Sequence, residues 1–368
     1  MDVIFNTEEN LTVDTKHLIS EKENVTLNEF WEYSVAEFIK DIYPPVLLIL
    51  GLSGNCISIL VLLQSNNRKT STSFLLITLA GTDSLILVCS VLVKWVGHIY
   101  GKDFISYSDA SCKLHTFLTY LTLQLSAWIL VFVTIERYIC VSCPISVRTI
   151  VTKKRLAFAM TALLVFLSLL NGHLLYGLQV EYNTILLVDI CSFNIDHEYF
   201  MIRIWPWIDF SFAFAIPFCV FVIFNTLIFV KLRSSEAFRR TSNEISGNQN
   251  SPEYERKQTS RYFTITALTL NLTFVVLVSP SVIFGIGQPY WFPLGFRTAQ
   301  DTAKLTLIGF RTAQGAAQLQ LTLIGAIVHM LMYTNNAVNF ILYVVCGGKF
   351  RQDVMNLCKK SASESTRL

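Results

Sequence analysis

Apolar residues gather in seven blocks along this chain, at 42–64, 74–96, 113–138, 155–177, 205–231, 260–286 and 319–345. Each block approaches the roughly 20 residues that one helix needs to cross a bilayer. In the third, the stretch from Leu114 to Ile135 holds no Lys, Arg, Asp or Glu. Polar and charged residues collect between the blocks. The pattern predicts an all-α membrane protein, a seven-helix bundle with its two termini on opposite sides.

Charge then orients the bundle. Residues 1–41 hold ten acids against Lys16, Lys22 and Lys40. Alternate connections are basic: Arg68 and Lys69; Arg148, Lys153, Lys154 and Arg155; Lys231, Arg233, Arg239, Arg240, Arg256, Lys257 and Arg261. Lys349, Arg351, Lys359 and Lys360 follow the last block. Basic loops stay in the cytoplasm, so residues 1–41 read as an extracellular segment, mobile to about residue 40. The sequons at Asn10 and Asn24 agree, as glycosylation sites. A third sequon, Asn271-Leu272-Thr273, lies inside the sixth span and reads as a false match. No apolar stretch of signal-peptide type precedes the first span.

Composition supports the membrane reading. Of the 368 residues, 52% are hydrophobic and 15% charged, against about a quarter charged in soluble domains. Residues 42–346 form the membrane domain, and 347–368 a cytoplasmic helix and tail. Gly347-Gly348 breaks the seventh span, and Phe350, Val354 and Leu357 among basic residues suit a short amphipathic eighth helix on the inner face. Cys358 at its end is a palmitoylation site or a plain free thiol. The segment 234–259 reads as a flexible inner linker. Gly295-Phe296-Arg297-Thr298-Ala299-Gln300 recurs at 309–314, a tandem duplication or an error of the gene model.

No catalytic set emerges. None of the six His has metal-ligand spacing, and no phosphate loop is present. Cys140-Val141-Ser142-Cys143 has no second pair to make a zinc site. Cys112 and Cys191 are the two cysteines on the outer side, where an oxidising medium favours a disulfide. Polar residues within spans are costly and often functional. Asp83 is the acid of span two, and Asn55, Ser126, Asn335 and Asn339 lie in spans one, three and seven. Together they hold a sodium ion, or form a packing network without one. Asp209, in span five, awaits a cationic ligand group or pairs with Arg203 or Lys94.

The motifs in order resemble the rhodopsin-like (class A) G-protein-coupled receptors over about residues 42–358. They are Gly54-Asn55, Leu79-Ala80-Gly81-Thr82-Asp83, Cys112 with Glu136-Arg137-Tyr138, Pro144, Phe214 with Pro217, Phe274 with Pro280, Asn339-Phe340-Ile341-Leu342-Tyr343, and Lys349-Phe350-Arg351. Four departures stand out. Val278 replaces the usual Trp of span six, Phe340 the Pro of span seven and Asn225 the Tyr of span five, and span four lacks its Trp and Pro. The Asn-Phe-Ile-Leu-Tyr variant is similar to invertebrate FMRFamide-like neuropeptide receptors.

The resemblance implies a receptor, not an enzyme, at the plasma membrane. It implies an extracellular ligand held by His115, Thr119, Tyr120, Asp209, Gln288, His329 and Tyr333. Thr119 and Tyr333 stand where the amine and retinal residues of other branches would be, leaving a peptide or an uncharged small molecule. Glu136, Arg137, Tyr138, Asn339 and Tyr343 become the switch toward a heterotrimeric G protein. No cofactor is expected beyond an allosteric sodium ion, and no nucleic acid. Rival readings are a chemosensory receptor for a small molecule, and a transporter, which would show two related halves.

Overall fold

The computed structural model describes residues 31–64, 70–144, 146–183, 188–241, 252–291 and 313–365. Asn10, Asn24 and residues 295–312 of the duplicated segment lie outside them. Long helices dominate: α1 Trp31–Leu62, α2 Ser71–Tyr100, α3 Asp109–Ser142, α4 Lys153–Asn171, α5 Ile195–Arg233, α6 Pro252–Trp291 and α7 Ala313–Ala337. Then come α8 Asn339–Cys346 and α9 Gly348–Ser365. Six described spans are single helices, and the seventh is the pair α7–α8, bent by 52°.

The helices outrun the apolar blocks. α1 starts at Trp31, so 31–41 is helical rather than mobile, and Glu37 there pairs with Lys40 at 2.7 Å. Helix continues past Arg233 to Thr241 and restarts at Pro252, which shortens the inner linker. Hydropathy detects only the part of a helix that lipid or core must cover, and polar turns at its ends give no signal. α9 likewise begins at Gly348 and extends to Ser365.

α3 sits at the centre and packs against α2, α4, α5 and α6. Leu75, Leu79, Ile129, Leu130, Phe221 and Leu270 meet there with almost no exposed surface. Its outer end is fixed three ways. Ser108 and Ser111 form a reciprocal capping box, which satisfies amides at the helix start that have no intrahelical partner. Asp109 accepts from the Val180 amide at 2.7 Å. Cys112 is joined to Cys191, as expected. That bond ties α3 to an antiparallel hairpin, β1 Leu178–Asn183 and β2 Val188–Phe193, in which Val180 pairs with Cys191.

Close approach of α1 to the seventh span depends on two glycines. A Cβ at Gly51 would lie 2.9 Å from Ala337 Cβ, and one at Gly54 2.8 Å from Phe340 Cβ. Hydrogen from a side chain there would clash, so only glycine fits. The bend at Val338 occurs without proline. Asn55 Nδ2 donates to the Asn336 carbonyl at 3.3 Å, and a side chain inserted into the backbone ladder is a recognised cause of a kink.

Candidate functional site

α3 carries two sites, one at each end. At the inner end, Arg137 and Glu136 are 4% exposed each. Arg137 Nε donates to Glu136 Oε2 at 2.6 Å and Nη2 to Oε1 at 2.5 Å. Thr72 of α2 closes the set: its hydroxyl donates to Glu136 Oε1 at 2.9 Å and accepts from Arg137 Nη2. Phe263 of α6 covers the guanidinium, with its ring centre 5.4 Å away. A buried ion pair depends on further hydrogen bonds to support it, and Thr72 and Cys140, 3.5 Å away, supply them at Nη2. Tyr138 instead packs edge-on against Phe224 of α5. Tyr343 is 3% exposed, its hydroxyl has no hydrogen-bond partner, and it lines a small apolar cavity with Tyr262, Phe263 and Phe350.

Midway along the bundle, Asp83 is wholly buried. Its Oδ1 accepts from Ser126 at 2.7 Å and Asn336 at 2.8 Å, and its Oδ2 from Asn339 at 2.6 Å. The expected Asn335 is replaced in this set by Asn336. Asn336 and Asn335 stand three and four residues before Asn339, and both spacings share a helix face, so spacing alone does not choose between them. Asn55 reaches the set through the Asn336 carbonyl, and its Oδ1 is buried without a partner. The carboxylate and the Ser126 hydroxyl are hard oxygens of the kind sodium takes, with the Asn55 side chain one hydrogen bond further on.

The outer half holds the expected ligand residues, on more than one wall. Asp209 of α5 is paired with neither Arg203 nor Lys94. Its Oδ1 accepts from Gln124 Nε2 at 2.9 Å. Gln124 Oε1 in turn accepts from Asn171 Nδ2 at 2.7 Å, so α4, α3 and α5 are joined by one relay. Gln124 and Asn171 are fully buried, which leaves Asp209 Oδ2 as the end of the relay without a hydrogen bond among the described residues. Tyr120 stands beside it, edge-on to Trp205 at 5.7 Å. A π-helical turn, Ser211–Ala215, begins two residues after Asp209, and such turns recur at functional sites.

Across the bundle, Lys94 Nζ donates to the Tyr333 hydroxyl at 3.4 Å and stands 5.9 Å from its ring centre. Thr119 shares a hydrogen bond of 2.9 Å with Ser90, which lies in a second π-helical turn. His115 Nε2 is buried without a partner. His329 Nδ1 faces the Gly325 carbonyl at 2.6 Å, and its ring meets Phe284 edge-on. Gln288 lies on α6, but its side chain is outside the described residues. Cys358 is exposed on α9.

Five partners escaped the sequence reading: Thr72, Gln124, Asn171, Asn336 and Lys94 in its role at Tyr333. Gln124 and Asn171 carried a usable signal, because each is an amide inside an apolar span. Thr72 carried none, since Thr is common near helix starts.

Comparison with known proteins agrees with this geometry. Residues 54–343 match the 7 transmembrane receptor (rhodopsin family). The chain is 25% identical over 321 residues to the thyrotropin-releasing hormone receptor of Bos taurus, covering 84% of this chain and 75% of that one. It is 26% identical over 370 residues to the Gallus gallus receptor of the same name, covering 95% and 86%. Cysteinyl leukotriene receptor 1 of Mus musculus is 24% identical over 352 residues, covering 94% and 90%.

Proposed function

Because this chain belongs to the rhodopsin family of seven-transmembrane receptors, we propose that it binds an extracellular peptide in its outer cavity and activates a heterotrimeric G protein through Arg137. It is a multi-pass plasma-membrane receptor and not an enzyme, as its family is. The acidic residues 1–41 face outward and the tail 347–368 inward, by the distribution of basic loops.

One observation carries the reading: α3 links a cluster of polar side chains in the outer half to a buried, ion-paired arginine. The outer half has two chemical poles. Asp209 Oδ2 suits a cationic or N–H donating group, and Lys94 with the Tyr333 hydroxyl suits an acceptor or anionic group. A peptide offers both at a spacing its sequence can set. The acidic N-terminal segment would steer a basic peptide inward. Kinship with FMRFamide-like receptors belongs to this proposal and rests on Asn339-Phe340-Ile341-Leu342-Tyr343. The relatives compared above are named for thyrotropin-releasing hormone and cysteinyl leukotrienes.

In the resting state Glu136 and Thr72 hold Arg137, and Phe263 shields it from the inner surface. Ligand binding favours a state in which α6 moves away and Arg137 turns to the G protein. The shift is bounded by the ligand's differential affinity for the two states. An allosteric sodium ion at Asp83, Ser126 and Asn55 is part of this proposal, as a counter-charge to the buried carboxylate.

The test is a library of amidated neuropeptides against the receptor co-expressed with a promiscuous G protein. An amidated peptide evokes nucleotide exchange, and Arg137→Ala abolishes it at unchanged surface expression. Retained signalling by Arg137→Ala sinks the assignment. Activation by small odorant-like molecules alone, indifferent to Asp209→Asn, favours the chemosensory alternative.

A further inference from the structure

Asn271 and Asn225 have no part in either site described above. Asn271 belongs to a sequon, yet it is 2% exposed in the middle of α6 and can carry no glycan. Its amide nitrogen has two hydrogens and uses both. One goes to Thr134 Oγ1 of α3 at 2.9 Å and the other to Asn225 Oδ1 of α5 at 3.2 Å. The hydroxyl hydrogen of the fully buried Thr134 goes to the nearer of two acceptors, the Leu130 carbonyl at 2.8 Å rather than Asn271 Oδ1 at 3.2 Å. Its oxygen is thereby left as an acceptor for Asn271. One side chain of α6 thus bridges α3 and α5 in an otherwise apolar layer, between Leu270, Phe221 and Phe274.

Position gives the bridge its consequence. Thr134 is three residues before Arg137 on α3, and Phe263, which covers Arg137, is eight residues before Asn271 on α6. Any outward motion of the inner end of α6 that uncovers Arg137 must pass through this layer. Water is scarce there, so the freed amide has nothing to replace its partners.

We infer that Asn271 is a positioning residue that latches α6 over Arg137, and that Thr134 and Asn225 are its two catches. The latch sets how often the unliganded receptor activates its G protein. The inference rests on the proposed role of Arg137, and its test separates the two.

The experiment uses the full-length receptor in membranes with the promiscuous G protein. Basal nucleotide exchange is measured per surface receptor for wild type, Thr134→Val, Thr134→Ser, Asn271→Leu and Asn225→Leu. Arg137→Ala supplies the floor. Thr134→Val keeps the shape and removes the acceptor, so it spares folding. Basal exchange rises about threefold or more in Thr134→Val and Asn271→Leu, in line with the modest strength of interhelical hydrogen bonds in membranes. Thr134→Ser stays at the wild-type level. Combining Asn271→Leu with Thr134→Val adds nothing further, because both remove one link. Labels at Arg155 and Arg261, both exposed, report the separation of the inner ends of α4 and α6 without any G protein. A wider separation with unchanged exchange keeps the latch and sinks the role of Arg137. Unchanged separation together with unchanged exchange in Thr134→Val and Asn271→Leu overturns the inference.

Discussion

Asp209 illustrates how one residue acquires a direction. A carboxylate has two oxygens, and here one is committed: Oδ1 takes the Gln124 amide, which is itself held by Asn171. Rotation of the carboxyl would break a buried hydrogen bond, so Oδ2 is presented to one place. Asp209→Asn removes the charge and lowers peptide potency by about tenfold to a hundredfold, the range for a hydrogen bond to a charged group. Gln124→Leu leaves the charge but frees the carboxyl, and potency falls by less, about threefold to tenfold. Concentration–response curves for the peptide found by screening check both. Equal potency in Asp209→Asn and wild type removes Asp209 from the pocket. Sequence could point to Asp209, because an acid in an apolar span is conspicuous. It could not supply the direction, which depends on residues 85 and 47 positions apart meeting across three helices.

At the scale of elements, the bend of the seventh span is the informative case. Phe340 stands where the family has proline, yet α7 and α8 still meet at 52°. The cause lies on α1, where Asn55 takes the Asn336 carbonyl and Gly51 and Gly54 admit Ala337 and Phe340. A bend made by a neighbouring helix leaves no mark on the bent helix itself, so the sequence of span seven could not disclose it. Gly54→Ala places a methyl 2.8 Å from Phe340 Cβ. Overpacking of this kind costs about 1–3 kcal/mol. The expected result is a lower melting temperature of the detergent-solubilised receptor. Phe340→Ala in the same chain does not restore it, because alanine keeps the Cβ that the new methyl meets. A melting temperature unmoved by Gly54→Ala would mean that α1 and α8 can separate freely here.

For the whole molecule, the seven apolar blocks, the disulfide and the Glu136-Arg137 pair were legible because each follows from residue type and side of the membrane. Contacts between helices were not, since a span's hydropathy says that it is covered without saying by what. The Asp83 set joins both kinds: it brings α2, α3 and the seventh span to one carboxylate, with α1 one hydrogen bond further on. Such a set is a natural place for a signal to pass along the bundle, because α3, which carries Arg137, reaches it through Ser126. Three donors already point at the carboxylate, so a sodium ion must compete with amide hydrogens as well as with water. Its effect is therefore modest and concentration-dependent. Exchanging sodium for a large organic cation at constant ionic strength raises basal nucleotide exchange in wild type, because the ion favours the resting packing. Asp83→Asn removes the charge that attracts the ion and abolishes that response, while Asn335→Ala preserves it. Constant ionic strength matters, since surface charges respond to screening alone. A wild-type receptor indifferent to sodium across the physiological range would leave the Asp83 set as a packing network, held by its own hydrogen bonds.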